Sequence, residues 1–316
     1  MSWWDRTRDP LVTGRVLQAA GGTYLVRVGE EELPCSLRGR IKQNEGSIAV
    51  GDRVEVERLE DGSCRIESVL PRSSVLSRRS FAKRREQVLA ANVDQVAAVV
   101  AVERPEPDLF LLDRILAVAE LNALDSFIAC NKADLAETDG IPAFLAPYED
   151  AGYEVIRVSA KSGEGIDRLT ERLAGHITVL AGASGVGKSS LVNAMVPGLE
   201  LRVGEVGERS GRGKHTTTAG RLIPLGENTF IADTPGVQNF EPAALEPAEL
   251  SSVFREFRPY LDSCRFADCC HREEPGCAVR EAVADGQVSE RRHESYLALL
   301  EAAERASRPW ERTGPG

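Results

Sequence analysis

The fold expected of this 316-residue sequence has three parts: a small N-terminal β-barrel, a doubly wound α/β centre and a mainly helical C-terminal region. Three observations predict it. Short alternating segments separated by turn residues fill positions 11 to 70, and strand-like and helix-like segments alternate from 93 to 240. Beyond Pro242 the pattern is helical, interrupted by a cluster of cysteines and a histidine. Boundaries at 1–71, 72–92, 93–240 and 241–316 follow, the second being a basic linker.

The first part reads as five strands, Val12–Ala19, Thr23–Val28, Glu32–Leu37, Asp52–Arg58 and Ser63–Val69, with Gly21-Gly22, Gly29, Gly51 and Asp61-Gly62 between them. Alternation such as Val54-Glu55-Val56-Glu57 turns one face inward and the other outward. Five strands in so short a stretch suit a barrel of the OB type, and an SH3-like barrel reads much the same. Pro71 closes the region. In the linker, Arg72, Arg78, Arg79, Lys83, Arg84 and Arg85 form a basic patch, for which a solvated surface and RNA contact are equal readings.

In the second part, Val96–Val102 is a continuous apolar run, as a parallel strand buried on both faces requires. Leu109, Leu112, Ile115, Leu116 and Ala119 then follow helical spacing. Ser126–Cys130, Glu154–Val158, Ile177–Leu180, Arg221–Leu225 and Thr229–Ala232 complete six strands, with Cys130 a small buried hydrophobe. In such a sheet ligands sit at the carboxyl ends of the strands.

The strands run into motifs. Gly182-Ala183-Ser184-Gly185-Val186-Gly187-Lys188-Ser189, followed by Ser190, fits G-x-x-x-x-G-K-[ST] between a buried strand and a helix. Its glycines permit a tight turn whose N–H groups face phosphates, Lys188 would reach the β- and γ-phosphates, and the Ser189 hydroxyl would ligate Mg²⁺. Asn131-Lys132-Ala133-Asp134 selects the base, because the Asp134 carboxylate can accept both N–H donors of guanine's edge. Ser159-Ala160-Lys161 ends the next strand and suits the loop over guanine. Asp233-Thr234-Pro235-Gly236 would hold Mg²⁺ through water at Asp233 and sense the γ-phosphate at Gly236. Before it, in Lys214-His215-Thr216-Thr217-Thr218, Thr217 ahead of Thr216 would ligate Mg²⁺ when GTP is bound. Ras-like GTPases orient the attacking water with a Gln where this chain has Val237, which cannot hydrogen-bond to water. His215 beside the threonines is the candidate replacement, and a solvent-exposed histidine is an equal reading.

The base-reading motif precedes the phosphate loop, although Ras-like GTPases have it afterwards. The parts of a GTP switch are therefore circularly permuted. A metabolic P-loop kinase would leave Asn131–Asp134 unexplained, and a pure RNA-binding module would leave the phosphate loop idle. Farther on, Cys264, Cys269, His271 and Cys277 offer three thiolates and an imidazole, a set that fits one tetrahedral structural Zn²⁺ with no open position. Cys270 could replace Cys269, and His293 reads as surface.

Composition bounds the setting. A formal net charge of −10 argues against simple wrapping of nucleic acid, without excluding local patches such as Arg209, Arg212, Lys214 and Arg221. Met1-Ser2-Trp3-Trp4-Asp5 lacks a signal-peptide pattern and no run reaches the ~20 apolar residues of a membrane span, so a reducing cytoplasm is expected.

With the permuted order, the barrel and the Cys/His spacing in view, the chain resembles the bacterial ribosome small-subunit-dependent GTPase A family over nearly its full length. Asn131–Asp134, Gly182–Ser190, His215–Thr218 and Pro71-Arg72-Ser73-Ser74 carry the resemblance beside the Cys/His set. It implies an OB-fold, a permuted GTPase domain binding GTP or GDP with Mg²⁺, and a zinc domain. It also implies a monomer that acts in late maturation of the 30S subunit, contacts 16S rRNA beside other assembly factors, and is stimulated in hydrolysis by that particle.

Overall fold

The molecule is described from a computed structural model that covers residues 11–20, 22–37, 48–59, 63–80, 85–196, 198–199, 220–233 and 247–307. Five strands open it: β1 (Val12–Ala20), β2 (Thr23–Val28), β3 (Glu31–Leu37), β4 (Arg53–Arg58) and β5 (Cys64–Val69). They pair in the circuit β1-β2-β3-β5-β4 and close through β1–β4, with β3 and β5 parallel. This is the five-stranded Greek-key barrel of the OB type. Val16, Val26, Val54, Val56 and Ile66 fill it, each fully buried, as period-two alternation requires.

The chain then departs from one expectation. The segment read as a linker forms an antiparallel pair, β6 (Val75–Ser80) and β7 (Arg85–Ala91). Leu76 and Ala90 bury against the central core, but a bulge between Leu76 and Ser77 breaks the alternation that would have betrayed a strand. Arg72 is likewise not part of a free basic patch: it grips the fully buried Asp52 carboxylate with two bonds of 2.7 and 2.8 Å. Asn92 completes this joint by accepting from the Ser73 amide (2.8 Å) and donating to the Gly51 carbonyl (2.9 Å).

The centre alternates β8 (Gln95–Ala101), α1 (Leu109–Leu121), β9 (Asp125–Asn131), α2 (Ala146–Asp150), β10 (Glu154–Arg157), α3 (Ile166–Leu173), β11 (Ile177–Ala181), α4 (Lys188–Met195), β12 (Arg221–Gly226) and β13 (Thr229–Asp233). The order β10-β9-β8-β11-β13-β12 is parallel except for antiparallel β12. Every residue of β8 and β11 is buried, because α1 and α2 cover one face while α3 and α4 cover the other. β1 continues the same sheet by pairing with β12 at Gln18–Arg221. A bulge in β1 makes this possible: Val16 points into the barrel while its neighbour Leu17 joins the central core.

Two 3₁₀ segments (Leu250–Val253 and Arg255–Ser263) lead to α5 (Ala278–Ala284) and α6 (Glu290–Ser307). Their core residues Phe254, Phe257, Tyr296 and Leu299 merge with Leu112, Ile115 and Leu116 of α1. Among the described residues, no helix is long and apolar enough to cross a membrane.

Candidate functional site

The phosphate loop leaves β11 and enters α4 through Gly187, whose φ of 97° only glycine adopts without strain. A Cβ there would also lie 2.3 Å from the Asn131 side-chain nitrogen, and one at Gly182 would lie 2.2 Å from the Val99 carbonyl oxygen. These two positions therefore need glycine for space. Lys188 Nζ donates to the carbonyls of Gly182 (2.9 Å) and Ala183 (2.8 Å), which holds the ammonium inside the loop it serves. Lys188 and Ser189 are both buried at the helix N-terminus, with Ser190 beside them. Asp233 follows Ala232, which pairs with Val179, so the D-x-x-G carboxylate and the phosphate loop leave the sheet from neighbouring strands. His215, Thr216, Thr217, Thr218, Gly236 and Val237 lie outside the described residues.

Asn131 ties three motifs together. Its amide nitrogen donates to the Val186 carbonyl in the phosphate loop (2.8 Å), and its oxygen accepts from the Ala160 amide (3.2 Å). Ala133 N donates to Val158 O at 3.0 Å, which closes the base-reading turn onto β10. Lys132 takes a left-handed φ of 62° and its ammonium donates to the Arg104 carbonyl, an anchor with no signal in the motif itself. Asp134 accepts from Ser159 Oγ (2.7 Å) and lies 3.4 Å from Lys161 Nζ. The Ser159 hydrogen bond, reinforced by Lys161, holds this carboxyl below its ordinary range, so it stays an acceptor. Asn131, Lys132, Asp134, Ala160, Lys161 and Gly187 line a cleft of about 440 Å³, with Leu135 and Ser190 beside them. Its chemistry suits a guanine at Asp134 and phosphates at Gly187. Burial pushes the Cys130 thiol, just below this floor, up to about 12, consistent with an inert packing role.

The Cys/His cluster assembles as expected. Cys264, Cys269, His271 and Cys277 bring their ligand atoms within 4.8 Å of one another. His271 Nδ1 lies 3.6 Å from Cys264 Sγ and 3.4 Å from Cys277 Sγ. Tetrahedral bonds of about 2.3 Å to sulfur and about 2.1 Å to nitrogen require roughly 3.6 Å between such atoms, so the set fits zinc. The alternative ligand Cys270 is exposed, with its sulfur turned to the Asp268 carbonyl. His271 holds a left-handed φ of 56°, a strained conformation at a candidate ligand.

His293 is not at the surface. It is buried, and its Nε2 sits 2.8 Å from the His271 carbonyl while its ring stacks on Tyr296. The sequence also gave no sign of a buried ion network around Asp113 on α1. Arg292 is 1% exposed and donates to Asp113 (2.6 Å) and Glu256 (2.8 Å), while Arg291 and Tyr148 also donate to Asp113 (2.8 and 2.7 Å). The network fastens α6 to the central domain.

Comparison with known proteins agrees with this geometry. The family model for the RsgA GTPase matches residues 69–243, and that for the RsgA N-terminal domain matches residues 13–66. A small ribosomal subunit biogenesis GTPase RsgA of Gemmatimonas aurantiaca is 44% identical over 91% of this chain and 96% of its own. The crystal structure of YjeQ from Thermotoga maritima superposes with a TM-score of 0.76 at 37% identity, over 93% of this chain and 99% of that one. That of YloQ, described as a circularly permuted GTPase, gives 0.74 at 27% identity over 99% of both. The chain belongs to the RsgA GTPase family and is a GTP-hydrolysing enzyme.

Proposed function

We propose that this enzyme acts in late maturation of the small ribosomal subunit, binding the 30S particle through its 16S rRNA and hydrolysing GTP faster on that particle than off it. Family membership carries the reading, because the relative spanning nearly the whole chain is named for small-subunit biogenesis. The cleft that joins Asp134, Asn131 and Gly187 supports a guanine nucleotide as the switch ligand.

In this reading Asn131, Lys132, Ala133 and Asp134, with Ser159, Ala160 and Lys161, enclose the base. Gly182 through Ser190 present N–H groups to the phosphates at the head of α4, and Lys188 neutralises them. Ser189 and Thr217 ligate Mg²⁺, Asp233 acts on it through water, and Gly236 N–H senses the γ-phosphate. Bound Mg²⁺ would offset charge developing on the phosphate oxygens. His215 orients the attacking water that Val237 cannot, when the enzyme engages the particle. Cys264, Cys269, His271 and Cys277 hold one structural zinc. The enzyme works as a cytoplasmic monomer beside other assembly factors.

Co-sedimentation with purified 30S particles tests the partner. Retention should be near stoichiometric with a non-hydrolysable GTP analogue and much lower with GDP. Pelleting to the same extent with 50S particles would contradict the reading.

A further inference from the structure

A second cleft, of about 710 Å³, lies between the barrel and the turn that joins β12 to β13. Its walls carry Arg15, Arg27 and Arg53, with Phe230 at its base. The arginines are not scattered. Arg15 pairs in register with Arg27 on β2 and with Arg53 on β4, so all three stand on one rung of the barrel's outer face. Like charges directly opposite across strands destabilise a sheet, and a stability-driven surface would alternate them with acids.

No ion pair within 4.0 Å relieves this rung; Asp94, which is engaged by the Ile177 amide (2.7 Å), favours the charged form of Arg15 from farther off. Among the described residues, no carboxylate lies within 4.0 Å of any of the three guanidinium groups, whereas Arg58, at the other end of β4 from Arg53, and Arg65 on β5 are both paired with glutamates. Arg15 donates only to the Gly51 carbonyl (3.3 Å) and Arg27 to the Gly29 carbonyl (3.1 Å). Both guanidinium groups also approach one ring, lying 5.5 and 5.8 Å from the Phe230 centroid. The ring attracts these cations without neutralising them, so Arg27 and Arg53 keep their positive charge with no carboxylate within 4.0 Å among the described residues. Glu30 and Glu227 belong to the lining but stand at its exposed rim, and Glu55 on the next rung is engaged by Ser68 (2.5 Å). In a chain of net charge −10 this concentration of unpaired cations is a local exception.

We propose that this cleft is an anion-binding site, distinct from the guanine cleft, which grips the phosphodiester backbone of single-stranded RNA between the barrel and the β12–β13 turn. Three arginines on adjacent strands, whose backbones lie roughly 5 Å apart, can meet successive phosphate oxygens. The choice of RNA rests on the function proposed above; the existence of the anion site does not. Its position couples it to the switch. The far ends of β12 and β13, Arg221 and Asp233, pair with each other where the D-x-x-G motif begins.

The test uses the full chain and a fluorescein-labelled single-stranded RNA 12-mer, followed by anisotropy over a range of salt. Arg15, half-buried, is left intact to spare folding. Arg27→Gln/Arg53→Gln should weaken RNA binding at least tenfold and flatten the log–log salt slope by about 1.4, at about 0.7 per lost phosphate contact. GTP affinity should be unchanged, and the melting temperature unchanged or raised, since like-charge repulsion is relieved. Arg58→Gln/Arg65→Gln removes equal charge from the same barrel and should change RNA affinity less than twofold. RNA affinity equal to the parent's, or loss no greater than in that control, would overturn the proposal. So would displacement of the RNA by millimolar inorganic phosphate at matched ionic strength, which would mark a small-anion site. RNA alone is the ligand here, so failure of 30S binding would sink the functional reading without deciding this one.

Discussion

At Asp134, one hydrogen bond from Ser159 fixes the carboxylate proposed to read the base. That Asn131–Asp134 belongs beside the phosphate loop was legible from the motif's residue types and its place at a strand end, and the structure brings the two together. The supporting contacts were not legible: neither Asn131 bridging Val186 to Ala160 nor Ser159 fixing Asp134 follows from four letters. Ser159→Ala should weaken GTP binding roughly fivefold by removing one charge-assisted hydrogen bond of about 1 kcal/mol, as titration calorimetry would register. Its effect on pH dependence has a definite sign. The Asp134 pKa is depressed by Ser159 and Lys161, so ionisation persists as pH falls and is lost only below the ordinary value near ~3.9. Removing the hydroxyl should move the acid limb of GTP binding upward. Asp134→Asn should exchange the acceptor pair for an acceptor and a donor, shifting preference to xanthine nucleotides; GTP affinity equal to the parent's would refute the assignment.

Elements buried on both faces were the most legible. β8, β9 and β11 are apolar runs with no competing reading, and each was placed within a residue or two of its observed bounds. β6 and β7 escaped because their arginines dominate the composition and the bulge at Leu76–Ser77 resets the period. His293 escaped for a related reason: a polar stretch reads as solvated unless its backbone partner, here the carbonyl of His271 in the Cys/His cluster, is known. The Cys/His cluster itself sits at the end of 3₁₀ turns that cannot be stable alone, so metal should hold it together. Cys264→Ser should lose the zinc and loosen α5 and α6, with lower protection in hydrogen exchange. GTP binding should survive, because Val186, Leu191 and Val192 of the phosphate-loop region pack on the opposite sheet face from Phe254, Phe257 and Tyr296. Metal analysis finding none in reduced protein would count against the site.

Across the described residues, a shared sheet, a common core and two sets of ion pairs, on Asp113 and on Glu120, join the three parts. The barrel shares β1 with the central sheet, and the C-terminal helices are held by Arg291 and Arg292 on Asp113, 178 and 179 positions away in sequence. Such pairs are invisible to local pattern, since a buried arginine makes sense only beside its distant carboxylate. Asp113→Ala should destabilise the fold by about 3 kcal/mol by leaving Arg292 partly uncompensated, which a shift in denaturant midpoint would reveal. Because barrel, nucleotide cleft and Cys/His cluster form one connected body, engagement of either flank can bear on the phosphate site between them. The central claim is that this connected body is a GTP switch answering to the small subunit, and steady-state GTP turnover with and without 30S particles tests it most directly. The account predicts slow turnover alone, strong stimulation by 30S but not 50S particles, and loss of most of that stimulation in His215→Ala with the basal rate nearly intact. Turnover unchanged by 30S particles would contradict it.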